Sequence, residues 1–145
     1  MAQAAQPAHG HRTFEHTADV GLMAWGRDLP ELFVEAAVGV AGLLTDTSHV
    51  RQRRAVPVEA EGETDEDLLV QWLEEVLFTY EVHGFAVGGA EIESVGSGCL
   101  SGRLLGERVD PSRHRPAGHV KAVTYHNLKI ERVGDRYEVR VVLDT

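Results

Sequence analysis

The sequence predicts a single α+β domain in which two amphipathic helices pack on a largely antiparallel or mixed sheet. Three observations lead there. Apolar residues recur at spacings of three and four in two stretches, one over 29–44 and one after Thr64. Strand-like alternation fills most of the remainder, and after the second helix its segments are joined by short turn-forming sequences, so they fold back as hairpins. A chain of 145 residues, 43% hydrophobic and 26% charged, suffices for one substantial core but would leave two domains too thin.

Residues 1–12, "MAQAAQPAHGHR", mix small, polar and proline residues without periodicity and read as a flexible tail, so the domain is placed at 13–145. From Asp19, the residues Val20, Leu22 and Ala24 alternate with Gly21, Met23 and Trp25, which suits a strand closed by Gly26. Asp28 followed three residues later by Glu31 marks a helix start, with Pro30 tolerated in the first turn. The helix then carries Leu29, Leu32, Phe33, Ala36, Ala37, Val40, Leu43 and Leu44. Pro57 in "AVPVEAEG" predicts an edge strand. Thr64 and Asp67 cap a second helix with Leu68, Leu69, Trp72, Leu73, Val76, Leu77 and Tyr80 on one face, ended by His83 and Gly84.

"FAVGGAEIESV" and "CLSGRLLGERV" read as two strands of a hairpin around "GSG", and "ERVDPSRHRPAG" as a loop. "HVKAVTYHNLKIERV" alternates throughout and predicts one long strand, turned at Gly134-Asp135 into a final strand, "RYEVRVVLDT". Five to seven strands and two helices result, without an internal repeat or a glycine-rich phosphate loop.

Fourteen Lys and Arg against 23 Asp and Glu set the formal charge at −9, which disfavours direct grip on nucleic acid; any RNA would be held by another protein. "RQRR" at 51–54 reads more simply as a solvated strand start than as a phosphate contact. No apolar run is long enough to span a bilayer and the first residues lack secretory signal order, so a cytosolic protein is expected. The single Cys99 precludes an internal disulfide and a multi-cysteine zinc site, and reads as a small buried or strand residue.

The chemistry-bearing residues lie at the two ends. Asp144 and the main-chain carboxylate of Thr145 are adjacent anions that repel unless a cation sits between them. If Asp19 joined them, three hard oxygen donors would meet, a set suited to calcium, magnesium or manganese rather than zinc. From the residues alone, a plainer account is that Asp144 solubilises a frayed end and that His16, Thr17 and Asp19 satisfy backbone groups where a turn enters a strand. His114, His119 and His126 match no zinc-ligand spacing. Lys121 and His126 fall on opposite faces of one predicted strand, His126 sharing its face with Thr124 and Leu128. No serine or cysteine nucleophile motif is present.

Taken together, "HTADVGLMAWG", "DLPELFVEAAVGVAGLL", "LLVQWLEEVLF", "VKAVTYHNLKIER" and the terminal "VVLDT" resemble the archease family over nearly the whole span from Phe14 to Thr145. The resemblance implies an α+β domain that is not an enzyme itself. It would act as a cofactor protein for an RtcB-type RNA ligase in tRNA splicing and RNA repair, speeding guanylylation of the ligase and supporting multiple turnover. It also implies a metal site at Asp19, Asp144 and Thr145, with His16, Lys121 and His126 as possible supporting residues. The family usually ends Asp-Ile, whereas this chain ends Asp144-Thr145, which is tolerable if the last ligand is a main-chain oxygen. A C-terminal extension is then expected to harm function by converting the α-carboxylate to an amide. Two other readings compete: a metal-dependent phosphoesterase using Asp19, Asp144 and His126, and a chaperone-like module that binds proteins through apolar helix faces or strand edges.

Overall fold

The computed structural model describes residues 8–16 and 19–145, and at Glu15 and His16 the main chain alone. Among these residues the order is β1 (Gly10–His16), β2 (Asp19–Gly26), α1 (Leu29–Leu44), a 3₁₀ turn (Thr47–His49), β3 (Arg54–Glu61), α2 (Asp65–His83), β4 (Phe85–Gly96), β5 (Cys99–Arg108), β6 (Ala122–Val123), β7 (Ile130–Val133) and β8 (Arg136–Asp144). The fold is α+β, as predicted. Every pairing among the described strands is antiparallel.

The helices form where the sequence places them, for local reasons. The Asp28 carboxylate accepts from the Glu31 N–H at 2.8 Å and Pro30 sits in the first turn of α1. Glu31 does not complete a reciprocal box; its carboxylate turns outward to the N–H and guanidinium of Arg27. At α2 the box is complete, with the Thr64 hydroxyl accepting from Asp67 N–H and the Asp67 carboxylate accepting from Thr64 N–H. Gly84, at φ 59°, takes the left-handed conformation that ends α2. The helices are tied by the Trp72 indole N–H, which donates to the Phe33 carbonyl at 2.8 Å inside the core.

The described residues form two sheets. The first has strand order β1-β2-β8-β6, with β7 also pairing to β8; the second has order β3-β5-β4. Pro57 lies on β3, an edge strand as expected. Helix α1 packs against β2 of one sheet and β4 of the other, so one continuous core contains Leu22, Phe33, Ala36, Leu68, Trp72, Leu104, Val141 and Leu143. Cys99 is a strand residue but an exposed one, at the start of β5.

Two expectations are corrected. The strand β1 begins at Gly10, inside the segment read as tail, because Gly10, His11 and Arg12 pair with Trp25, Ala24 and Met23 of β2. The remaining tail residues 1–7 lie outside the described residues. The long strand expected over 119–133 is broken: only Ala122–Val123 and Ile130–Val133 pair with β8, and a turn at His126 and Asn127, with Asn127 at φ 50°, divides them. Alternation survives there because the segment is half-buried, not because it is continuously paired.

The loop after β5 is held by a cluster that the sequence did not signal. Glu107 and His114 are 5% and 2% exposed. The Glu107 carboxylate accepts from both terminal nitrogens of Arg113, at 2.9 and 2.7 Å, and from the Arg51 N–H at 2.7 Å. His114 Nδ1 accepts from the Asp110 N–H at 2.8 Å, leaving Nε2 to donate to Glu107 at 3.1 Å. The Arg113 bonds, with the Arg51 N–H, hold the Glu107 carboxyl far below the usual carboxylate range. A carboxyl depressed by folding stabilises the fold above its unfolded pKa and loses that contribution as pH falls.

Two outcomes are expected. Thermal melts should show the midpoint falling from about pH 5 downward, with a flatter profile and a lower neutral-pH midpoint in Glu107→Gln; an unchanged profile would contradict the role given to Glu107. Thr64→Ala should cost about 1 kcal/mol in urea unfolding through loss of the α2 cap.

Candidate functional site

The pairing of β2 with β8 builds the site. Along β8, Val139, Val141 and Leu143 alternate with Glu138, Arg140, Val142 and Asp144; along β2, Leu22 and Ala24 alternate with Gly21 and Met23. Leu22, Ala24, Val139, Val141 and Leu143 all turn into the core, and a one-residue slip would carry the whole set out of it. Burial therefore selects the register in which Leu22 faces Val141 and Val20 faces Leu143. The same register places Asp19 directly opposite Asp144.

Residues directly opposite in an antiparallel pair project to the same face with Cβ atoms about 5 Å apart. Asp19 and Asp144 are thus neighbours on the face away from the core, Asp19 half-buried and Asp144 exposed. The row continues on both sides, with His16 paired to Asp19 on β1 and Ala122 paired to Asp144 on β6. The side chain of His16 and all of Thr17, parts of the "HTAD" motif, lie outside the described residues.

The end of β8 is not a frayed one. The Lys121 N–H donates to the Asp144 carbonyl at 2.7 Å, and Thr124 donates to the Val142 carbonyl through both its N–H, at 3.0 Å, and its hydroxyl, at 2.9 Å. The Val123 N–H in turn donates to Glu74 of α2 at 3.2 Å, so β6 anchors the strand end to the helix layer. Thr145 follows, exposed.

The other candidates divide. Lys121 adjoins Asp144 through its main chain. His126 does not lie on a strand with it; it sits exposed in the turn, its N–H toward the Thr124 hydroxyl at 3.3 Å and its Nε2 3.3 Å from Asn127. His114 belongs to the Glu107 cluster and His119 lies by Glu81, so these histidines do not converge. Among the described residues no group of three or more His, Cys, Asp or Glu side chains is placed to hold a metal. The predicted set contains two such side chains, Asp19 and Asp144, and a main-chain oxygen.

Comparison with known proteins agrees with this fold. The family model described as "Archease protein family (MTH1598/TM1083)" matches residues 11–145. A protein archease from Sulfurisphaera tokodaii is 41% identical over 133 residues, spanning 90% of this chain and 95% of the relative. One from Pyrococcus furiosus is 35% identical over 135 residues with the same shares. The solution structure of Methanobacterium thermoautotrophicum protein 1598 superposes with a TM-score of 0.76 at 32% identity, covering 94% of this chain and 99% of that one. A Thermotoga maritima structure described as "an archease, possible chaperone" shares the fold, with a TM-score of 0.62 at 24% identity over all of both chains. Matched by the family model across nearly its whole length and by these relatives at 35% and 41% identity, the chain belongs to the archease family.

Proposed function

We propose that this chain is an activator, not an enzyme, that promotes guanylylation and multiple turnover of an RtcB-type RNA ligase in tRNA splicing and RNA repair in the cytosol. It would do so through a divalent cation held by Asp19, Asp144 and a main-chain oxygen of Thr145. The observation that carries the reading is the direct cross-strand pairing of Asp19 with Asp144.

Like charges directly opposite on a sheet destabilise it, yet this pair sits where the strand ends are braced on both sides. A cation between them turns repulsion into attraction. The donors are carboxylate and main-chain oxygens, which fit calcium, magnesium or manganese. When bound, such an ion supplies positive charge where a partner handles phosphates. The chain's own residues then have simple tasks: Asp19 and Asp144 hold the ion, the Lys121 main chain fixes the Asp144 backbone, and His16 supports from the neighbouring strand. A net charge of −9 leaves RNA to the ligase and favours a basic partner.

A second reading, a chaperone-like protein-binding module, draws on Phe78 and Val82. These lie one turn apart on α2 and are 49% and 60% exposed. It predicts function that survives loss of both aspartates and fails in Phe78→Ser.

Two measurements test the metal-dependent reading. Calcium or manganese at a hundredfold excess over Kd should stabilise the wild type by about 2.7 kcal/mol, a shift absent in Asp19→Asn and Asp144→Asn. A metal response unchanged by either substitution would remove the site. In single-turnover guanylylation of the cognate ligase, the wild type should accelerate the step while folded Asp19→Ala and Asp144→Ala do not. Acceleration by both variants would keep the partner and discard the metal, and no acceleration by the wild type would discard the partner.

A further inference from the structure

Met23, Trp25 and Val142 are buried yet stand apart from the core, because they project from the first sheet on the face that carries Asp19 and Asp144. Side chains of the sheet itself lie over this face. The guanidinium of Arg140, on β8, lies 5.2 Å from the ring centroid of Phe14 on β1. That of Arg12, on β1, reaches the Met23 sulfur on β2 at 3.6 Å. Since β1 and β8 flank β2, about 10 Å apart, both arginines lean inward across the central strand. Gly21 permits this, because a Cβ there would fall inside the Phe14 ring.

Arg12, Met23 and Arg140 form one cross-strand row, so the two cations converge on one floor. Among the described residues neither has a carboxylate within ion-pair distance. Glu131 and Glu138 line the same surface depression as Met23 and Arg140, Glu138 paired with Arg136 and Glu131 3.9 Å from Lys129. In a chain with 23 acidic residues, two guanidinium groups on one cross-strand row, over Phe14 and Met23 and with no ion-pair partner among the described residues, offer donors to an anion.

We propose that Arg12 and Arg140 form a clamp for a phosphate group on the face that carries Asp19 and Asp144. Each guanidinium offers five donors in a planar fork, and two forks supply more donors than the two oxygens of a carboxylate can use. The terminal oxygens of a phosphate can engage both forks. Asp19 and Asp144 lie two rows away, about 14 Å along the strands, so the clamp needs no metal of its own. It is independent of the metal reading.

The test is a titration with sodium pyrophosphate in metal-free, low-salt buffer, followed by calorimetry and by the arginine Nε–Hε resonances. Saturable binding is expected, with shifts confined to Arg12 and Arg140, and an affinity about tenfold weaker in Arg12→Gln or Arg140→Gln. Arg140→Lys, which keeps the charge but loses the fork, should fall between, and Arg54→Gln on the distant edge strand should match the wild type. In the Asp19→Asn/Asp144→Asn background binding should persist or tighten, which separates this clamp from the metal site. No saturable binding, wild-type affinity in both glutamine variants, loss in the aspartate double variant, or succinate binding as tightly as pyrophosphate would each overturn the assignment.

Discussion

The antiparallel pairing of β2 with β8 is the constraint on which the rest depends. The chain leaves the first sheet after β2, builds two helices and a second sheet, and returns so that β8 lies between β2 and the strands β6 and β7. The inward side chains of β2 and β8 allow one register, since a shift of one residue would carry Val141 and Leu143 out of the core. That register alone sets what lies on the outer face. Asp19 meets Asp144, Gly21 meets Val142, and Met23 meets Arg140, so the charged row at one end and the arginine row farther along follow from the apolar packing beneath them.

Charge is handled in two ways in this molecule. Around Glu107, one carboxylate receives Arg113, His114 and the Arg51 N–H, and each partner is itself fixed in geometry. This is the pattern of a structural cluster, because a buried charge left without donors would cost several kcal/mol or more. On the outer face of the first sheet, like charges are placed side by side: Asp19 with Asp144, and Arg12 with Arg140 across Met23. A fold under no other demand would separate them. The contrast sets the Glu107 cluster, which holds a loop, apart from the sheet face, where residues of like charge stand in one cross-strand row.

Much of the fold was legible residue by residue. Both helices, their caps at Asp28 and Thr64, the Gly84 terminus, the hairpin around Ser97 and the turn at Gly134 are signalled by patterns spanning a few residues. Where local pattern misled, the reason is non-local. Gly10, His11 and Arg12 carry no strand signal of their own and become a strand by pairing with β2. Residues 119–133 alternate like a strand, but β8 offers them its edge in two short places, and the turn at Asn127 occupies the interval. The Glu107 cluster was invisible because Glu107, Arg113 and His114 fall in a segment with no periodic pattern and the Arg51 N–H joins them from 56 residues away.

By itself, the sequence determined the α+β class, the helices and hairpins, the acidic balance and the family motifs at each end of the domain. These depend on periodicity, capping and composition, all of which act over short spans of chain. Only the tertiary structure decided that there are two sheets, that Asp19 faces Asp144, that His126 leaves the strand, and that Arg12 and Arg140 share one row. The facing of Asp19 with Asp144 and the shared row of Arg12 and Arg140 join residues more than a hundred positions apart. The register that joins them is chosen by the burial of Leu22, Val141 and Leu143 together, which no single segment expresses alone.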